Sequence, residues 1–284
     1  MHEPALRAAA FGSAPLPDPA VTRGGGSPRE RLLAAVVLGA QGRYAAAATL
    51  LDGLRNGTDP LEASLAASTL AAHRRQLGGH RHARALDGEA FAKAAGLETG
   101  RDPDGLDAAG ARADALLGLA ADNLALGRLS AARRLAARAA AQDAGWRARV
   151  RGGWVGAEIE LAAGQGAAAV PHAERSFETA LARGARRHSV KSGIVLAVAL
   201  RVAEAPDHRK ISDDLVGNAM AAAEECELLS LLWPAALVAV DLRPGHAEEY
   251  RFRVAQVLHA VLRSADPCGR RVAGESPWVP VPGG

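Results

Sequence analysis

LGRLSAARRLAARAAA, from Leu126 to Ala141, is the stretch that decides how this chain folds. Small residues fill most of its positions, arginine most of the rest, and none is aromatic. Alanine has the best intrinsic helix propensity, so the run reads as a helix. Gly127 reads as the end of the helix before it, because glycine enters a left-handed turn without steric penalty. The small residues let two helices approach closely. The run is therefore expected to be the turn and second helix of an antiparallel hairpin. Its alanines should pack against the first helix and its arginines should lie on the outer, solvated side.

The pattern recurs. GRYAAAATLLDGL from Gly42, GGHRHARALDGEA from Gly78, GRLSAARRLAARAA from Gly127 and GQGAAAVPHAERSF from Gly164 align on their glycines, at steps of 36, 49 and 37 residues. The long step contains LETGRDPDG (97–105), which reads as a loop insertion. Five residues after each glycine stands Ala47, Ala83, Ala132 or Ala169, and seven before stands Ala35, Ala71, Ala120 or Ala157. Alanine is about a quarter of the chain, so the glycine spacing weighs more than the alanine matches. Helix starts are also legible. Ser27-Pro28-Arg29-Glu30 has the form of a capping box with proline at the first helical position. Asp59–Glu62 repeats the device. A period of this length marks a solenoid of helical hairpins.

These segments resemble tetratricopeptide repeats, in a degenerate bacterial type. GRYAAA, with Tyr44, is the nearest single match. The chain departs from the family in lacking most of its large aromatics and the proline that ends its units. Asp87 also stands where a bulky apolar residue is expected. The resemblance covers about 28–184. It implies an all-α, right-handed superhelical solenoid whose first helices line a concave groove that grips peptides. On that reading Arg151, Trp154 and Glu158 share one groove-facing side of the fourth repeat. Arg75 and Asp114 fall on the same surface from earlier repeats, and Lys191 extends it. Trp154 is open to two readings, an anchor for a partner's apolar group or a core residue filling space.

Outside the repeats, residues 1–26 read as a disordered leader and 266–284 as a disordered tail, though Trp278 could dock. Degenerate hairpins are expected over 187–264, with helices at 187–204, 211–227, 230–242 and 246–264. Pro234 is expected to be tolerated only in a first turn. Glu225–Leu242 is similar to the helical repeats attached to large bacterial transcriptional regulators, but the chain shows no helix-turn-helix of its own.

Bulk properties narrow the function. The chain has 284 residues, 49% apolar, 23% charged and only 4% aromatic, with net charge +3. That charge is small for a nucleic-acid footprint unless it is concentrated. It is most concentrated over 126–151, where seven arginines oppose Asp143, so a nucleic-acid-associated regulator is the alternative reading. Cys226 and Cys268 have neither metal-ligand spacing nor a disulfide framework. His80 and His82, with His73 nearby, could ligate a metal only if joined by a further ligand such as Asp87; a solvated basic turn is the expected reading. The acidic pairs Asp213–Asp214 and Glu248–Glu249 and the cluster Glu224, Glu225 and Glu227 read as solvated surface. There is no phosphate-binding loop, nucleophile elbow or zinc-protease helix. The expectation is a non-catalytic, cytoplasmic scaffold or regulatory protein with a protein or peptide partner, no metal or cofactor and no membrane span, and with homo-oligomerisation possible.

Overall fold

The computed structural model describes residues 3–14 and 26–280. Among the described residues there are fourteen α-helices and no strand. They are α1 (Glu3–Phe11), α2 (Pro28–Ala40), α3 (Tyr44–Arg55), α4 (Pro60–Gln76), α5 (His80–Ala94), α6 (Ala108–Ala125) and α7 (Leu129–Ala140). The second half holds α8 (Gly145–Ala162), α9 (Gly166–Ala182), α10 (Arg186–Ala203), α11 (His208–Glu225), α12 (Leu229–Leu242), α13 (Ala247–Arg263) and α14 (Pro267–Gly274).

Local chemistry sets the boundaries. The Ser27 side chain accepts from the Glu30 N–H and the Glu30 carboxylate accepts from the Ser27 N–H, closing the capping box ahead of α2. Asp59 accepts from the Leu61 and Glu62 N–H groups ahead of α4. Gly42 ends α2 at φ 76°. There its N–H bonds the Gly39 carbonyl at 3.1 Å and the Arg43 N–H bonds the Leu38 carbonyl at 2.9 Å, so carbonyls left over at the helix end are satisfied. The same pair of bonds closes α4 at Gly78, α6 at Gly127 and α8 at Gly164.

The hairpin seams are built as the spacing implies. All eight aligned alanines, from Ala35 to Ala169, are 0% exposed. In α7, Ala132 and Ala139 are buried while Arg133, Arg134 and Arg138 are exposed. Consecutive helices from α1 to α13 pack as neighbours, and a second set of contacts joins alternate helices. α2, α4, α6, α8, α10 and α12 each touch the next of their kind, and α12 touches α2. These six form an inner layer, with α3, α5, α7, α9, α11 and α13 outside it.

Three expectations need correction. The leader contains α1, whose Leu6, Ala10 and Phe11 are buried in the core with Leu32, Leu33, Trp146 and Val150. Residues 1–2 and 15–25 of the leader lie outside the described residues. The tail contains α14, capped by Asp266 and burying Val272 and Ala273, and Val279 is buried beyond it. Trp278 is exposed, and residues 281–284 lie outside the described ones. Pro234 is not in a first turn but is the sixth residue of α12, as Pro171 is of α9. Leu231, Leu232, Trp233, Ala235 and Ala236 around Pro234 are all buried, and their packing outweighs one missing N–H bond.

The last helices dock on the first hairpins. The Ala45 N–H bonds the Ser264 carbonyl at 2.8 Å, and Val261 lies against Gly42. Arg74 pairs with Asp266 at 2.6 Å, and Val272 and Val279 lie beside Gly79 and Gly78. Among the described residues no helix is long and apolar enough to cross a membrane.

Candidate functional site

Arg75, Asp114, Arg151, Trp154, Glu158 and Lys191 all lie on inner-layer helices: α4, α6, α8 and α10. The fold brings most of them together and pairs them. Asp114 is buried and receives Arg147 at 2.8 Å and Arg151. Burial works to raise its carboxyl, but the two guanidinium groups hold it below the usual carboxylate range. Glu158 and Lys191 pair across α8 and α10 at 3.4 Å, each about a third exposed. Trp154 is half-buried between two hydrophobic clusters. Its indole N–H donates to Ser192 Oγ at 2.7 Å, and its ring stacks on His188 with centroids 5.7 Å apart.

Arg75 is separate from this group. Its Nε donates to Asp122 at 2.9 Å, and its far nitrogen donates to Asp87. His80 Nδ1 lies 3.1 Å from Asp122, and Ser68 Oγ donates to Asp87 at 3.1 Å. The anomalous Asp87 is thus a buried carboxylate sharing one arginine with a second carboxylate. Burial pushes its carboxyl up to about 7 against the pull of Arg75, and Asp122 adds to the rise. Gly118 of α6 is the reason a polar group fits at this seam, since a Cβ there would overlap the Asp87 carboxylate.

His188 is the centre that sequence reasoning missed. It is buried, with Trp146 at 4.9 Å, Trp154 at 5.7 Å and Phe11 at 6.4 Å between ring centroids. Burial, then Arg187, Arg147 and Arg151, hold its pKa well below 6.5, so it is neutral. Next to it, burial lowers Arg187 to about 10, and Arg187 Nε has no hydrogen-bond partner. No periodicity marked His188, because its aromatic neighbours come from α1 and α8.

The arginine-rich run divides between two surfaces. Arg147 and Arg151 turn inward to Asp114. Arg133 pairs with Glu160 at 3.3 Å, and Arg138 lies over the Phe91 ring at 5.3 Å. Among the described residues, only Arg128, Arg134 and Arg149 of the seven carry no such partner and are exposed.

The histidines of the second turn also separate. His73 is buried beside Tyr44, its ring centroid 5.2 Å away, whereas His82 is exposed. Two surface concavities, about 400 Å³ beside the 97–109 segment and about 680 Å³ at residues 240–251, lie away from Trp154. No protein-family model matches this chain, and no curated protein matches it.

Proposed function

We propose that the chain is a non-catalytic binding protein, an array of tetratricopeptide-like hairpins whose last helices dock on the first, that holds a peptide or protein segment on its inner layer around Trp154. The observation that carries this reading is the convergence at Trp154. A half-buried indole lies on His188 beside the partly exposed Glu158–Lys191 pair. An aromatic plate rimmed by both signs of charge is the chemistry of an interface hot spot. Such a surface favours an amphipathic segment over a uniformly acidic strand.

The test is Trp154→Ala in the full chain, with stability and affinity for a captured partner measured on the same preparation. The expected result is binding weaker by about 2 kcal/mol, near thirtyfold. The accompanying stability loss should fall short of the roughly 3–5 kcal/mol expected for truncating a fully buried tryptophan. A full-sized stability loss with unchanged affinity in the folded fraction would make Trp154 a core residue and end this reading. A partner released by nuclease, with steep weakening as salt rises, would instead identify nucleic acid.

A further inference from the structure

Helix α1 meets the rest of the chain as a bound peptide would. It has nine residues, too few to be stably helical alone in water. Its apolar residues Leu6, Ala10 and Phe11 join one core cluster with Leu32 and Leu33 of α2 and Trp146 and Val150 of α8. Phe11 lies under the Arg147 guanidinium at 4.7 Å and near the His188 ring.

Its polar side is held by an acidic clamp. Arg7 donates to Asp102 at 2.9 and 3.0 Å and to Asp104 at 2.8 Å. Gly12, just past its end, accepts at its carbonyl from the Arg186 N–H at 3.1 Å.

The clamp is the insertion that lengthens one repeat step to 49 residues, and the seat holds it in place. Asp104 accepts from the Trp146 indole N–H at 3.2 Å, and its carbonyl accepts from Arg147 at 2.9 Å. Arg29 of α2 also reaches Asp102 at 3.5 Å. Burial works to raise the Asp102 carboxyl, but Arg7 and the Leu106 and Asp104 N–H groups hold it below the usual range. The α1 helix is joined to α2 through SAPLPDPAVTRGGGS (13–27), which has three prolines, three glycines and no apolar periodicity.

We propose that the seat of α1 is a docking site for a helical segment of a partner protein, and that α1 keeps it closed until displaced. The segment it fits has apolar residues at i, i+4 and i+5 and an arginine at i+1, the pattern of Leu6, Ala10, Phe11 and Arg7. Apolar side chains enter the Leu32–Trp146–Val150 seat, and the arginine enters the Asp102–Asp104 clamp. Because α1 belongs to the same chain as its seat, a partner must outcompete an intramolecular occupant. Affinity is then reduced by the fraction of molecules with the seat open. This inference rests on the reading of the inner layer as a binding surface, and names the partner's chemistry.

The test uses the full chain. Leu6→Asp with Phe11→Asp unseats α1, and the probe is a fluorescent peptide of residues 1–14, followed by anisotropy. The double variant is expected to melt cooperatively and to bind the peptide at least tenfold tighter than the wild type. Adding Asp102→Lys and Asp104→Lys is expected to abolish that binding. Loss of cooperative melting in the double variant would make α1 a core element and overturn the proposal. So would a folded double variant that does not bind the peptide, or equal binding by both proteins.

The Trp154→Ala partner measurement is read on the chain with α1 intact, so the two readings fail separately. Peptide docking with partner affinity indifferent to Trp154 removes only the functional reading. Trp154-dependent partner binding without peptide docking removes only the seat.

Discussion

His73 and His188 show what burial does to single residues in this protein. Both are almost fully inaccessible, and neither Nδ1 has a hydrogen-bond partner. His73 fits only because residue 39 is glycine, since a Cβ there would overlap its ring. Burial, then Arg187 and Arg74, lower the His73 pKa to about 3, and His188 is also held well below 6.5. The unfolded chain binds protons at these rings below about pH 6.5, while the folded chain does not. Their contribution to stability is therefore complete above that pH and is lost as pH falls from 6.5 toward the folded values. For His73 the loss is on the order of 2 kcal/mol by pH 5. Urea denaturation from pH 7 to pH 5 is expected to show the decline, and His73→Phe is expected to reduce its slope. An unchanged slope would mean that His73 gains a proton without unfolding. Neither burial was legible in the sequence, because the groups around each ring come from helices far apart in the chain.

At the scale of the helix pair, glycine and alanine carry the specification. The four hairpin turns and eight seam alanines were legible because each depends on residues within one repeat. Ala132→Leu is expected to destabilise by about 1–3 kcal/mol through overpacking between α6 and α7. Ala137→Leu, on the exposed side of α7, is expected to change stability by less than about 0.5 kcal/mol. Thermal melts of the two variants check the seam directly, and equal shifts would contradict it. α1 and α14 were harder to read. Each is short, and each buries its apolar residues against partners distant in sequence, so neither forms a repeat with its neighbours. The spacing of Leu6, Ala10 and Phe11 was the available signal for α1. Of the candidate site, the sequence placed residues on the inner layer but could not show that Arg151 answers Asp114 while Arg75 answers Asp87 and Asp122.

On the scale of the whole molecule, the ends are tied together. An open array unfolds as a chain of nearest-neighbour units and frays from its ends. Here α13 and α14 seat on the α2–α3 turn, the start of α3, the end of α4 and the α4–α5 turn through Val261, Ser264, Asp266 and Val272. Removing residues 266–284 is therefore expected to lower the melting temperature, whereas a solvated tail would leave it unchanged. Asp266→Ala removes both the α14 cap and the carboxylate opposite the buried Arg74 guanidinium, at a cost of about 3 kcal/mol or more. Differential scanning calorimetry of the full chain tests the closure most directly. A closed array predicts one transition, with calorimetric and van't Hoff enthalpies equal within error, and a higher ratio of the two in Asp266→Ala. A wild-type ratio well above one, unaffected by Asp266→Ala, would contradict a molecule joined end to end.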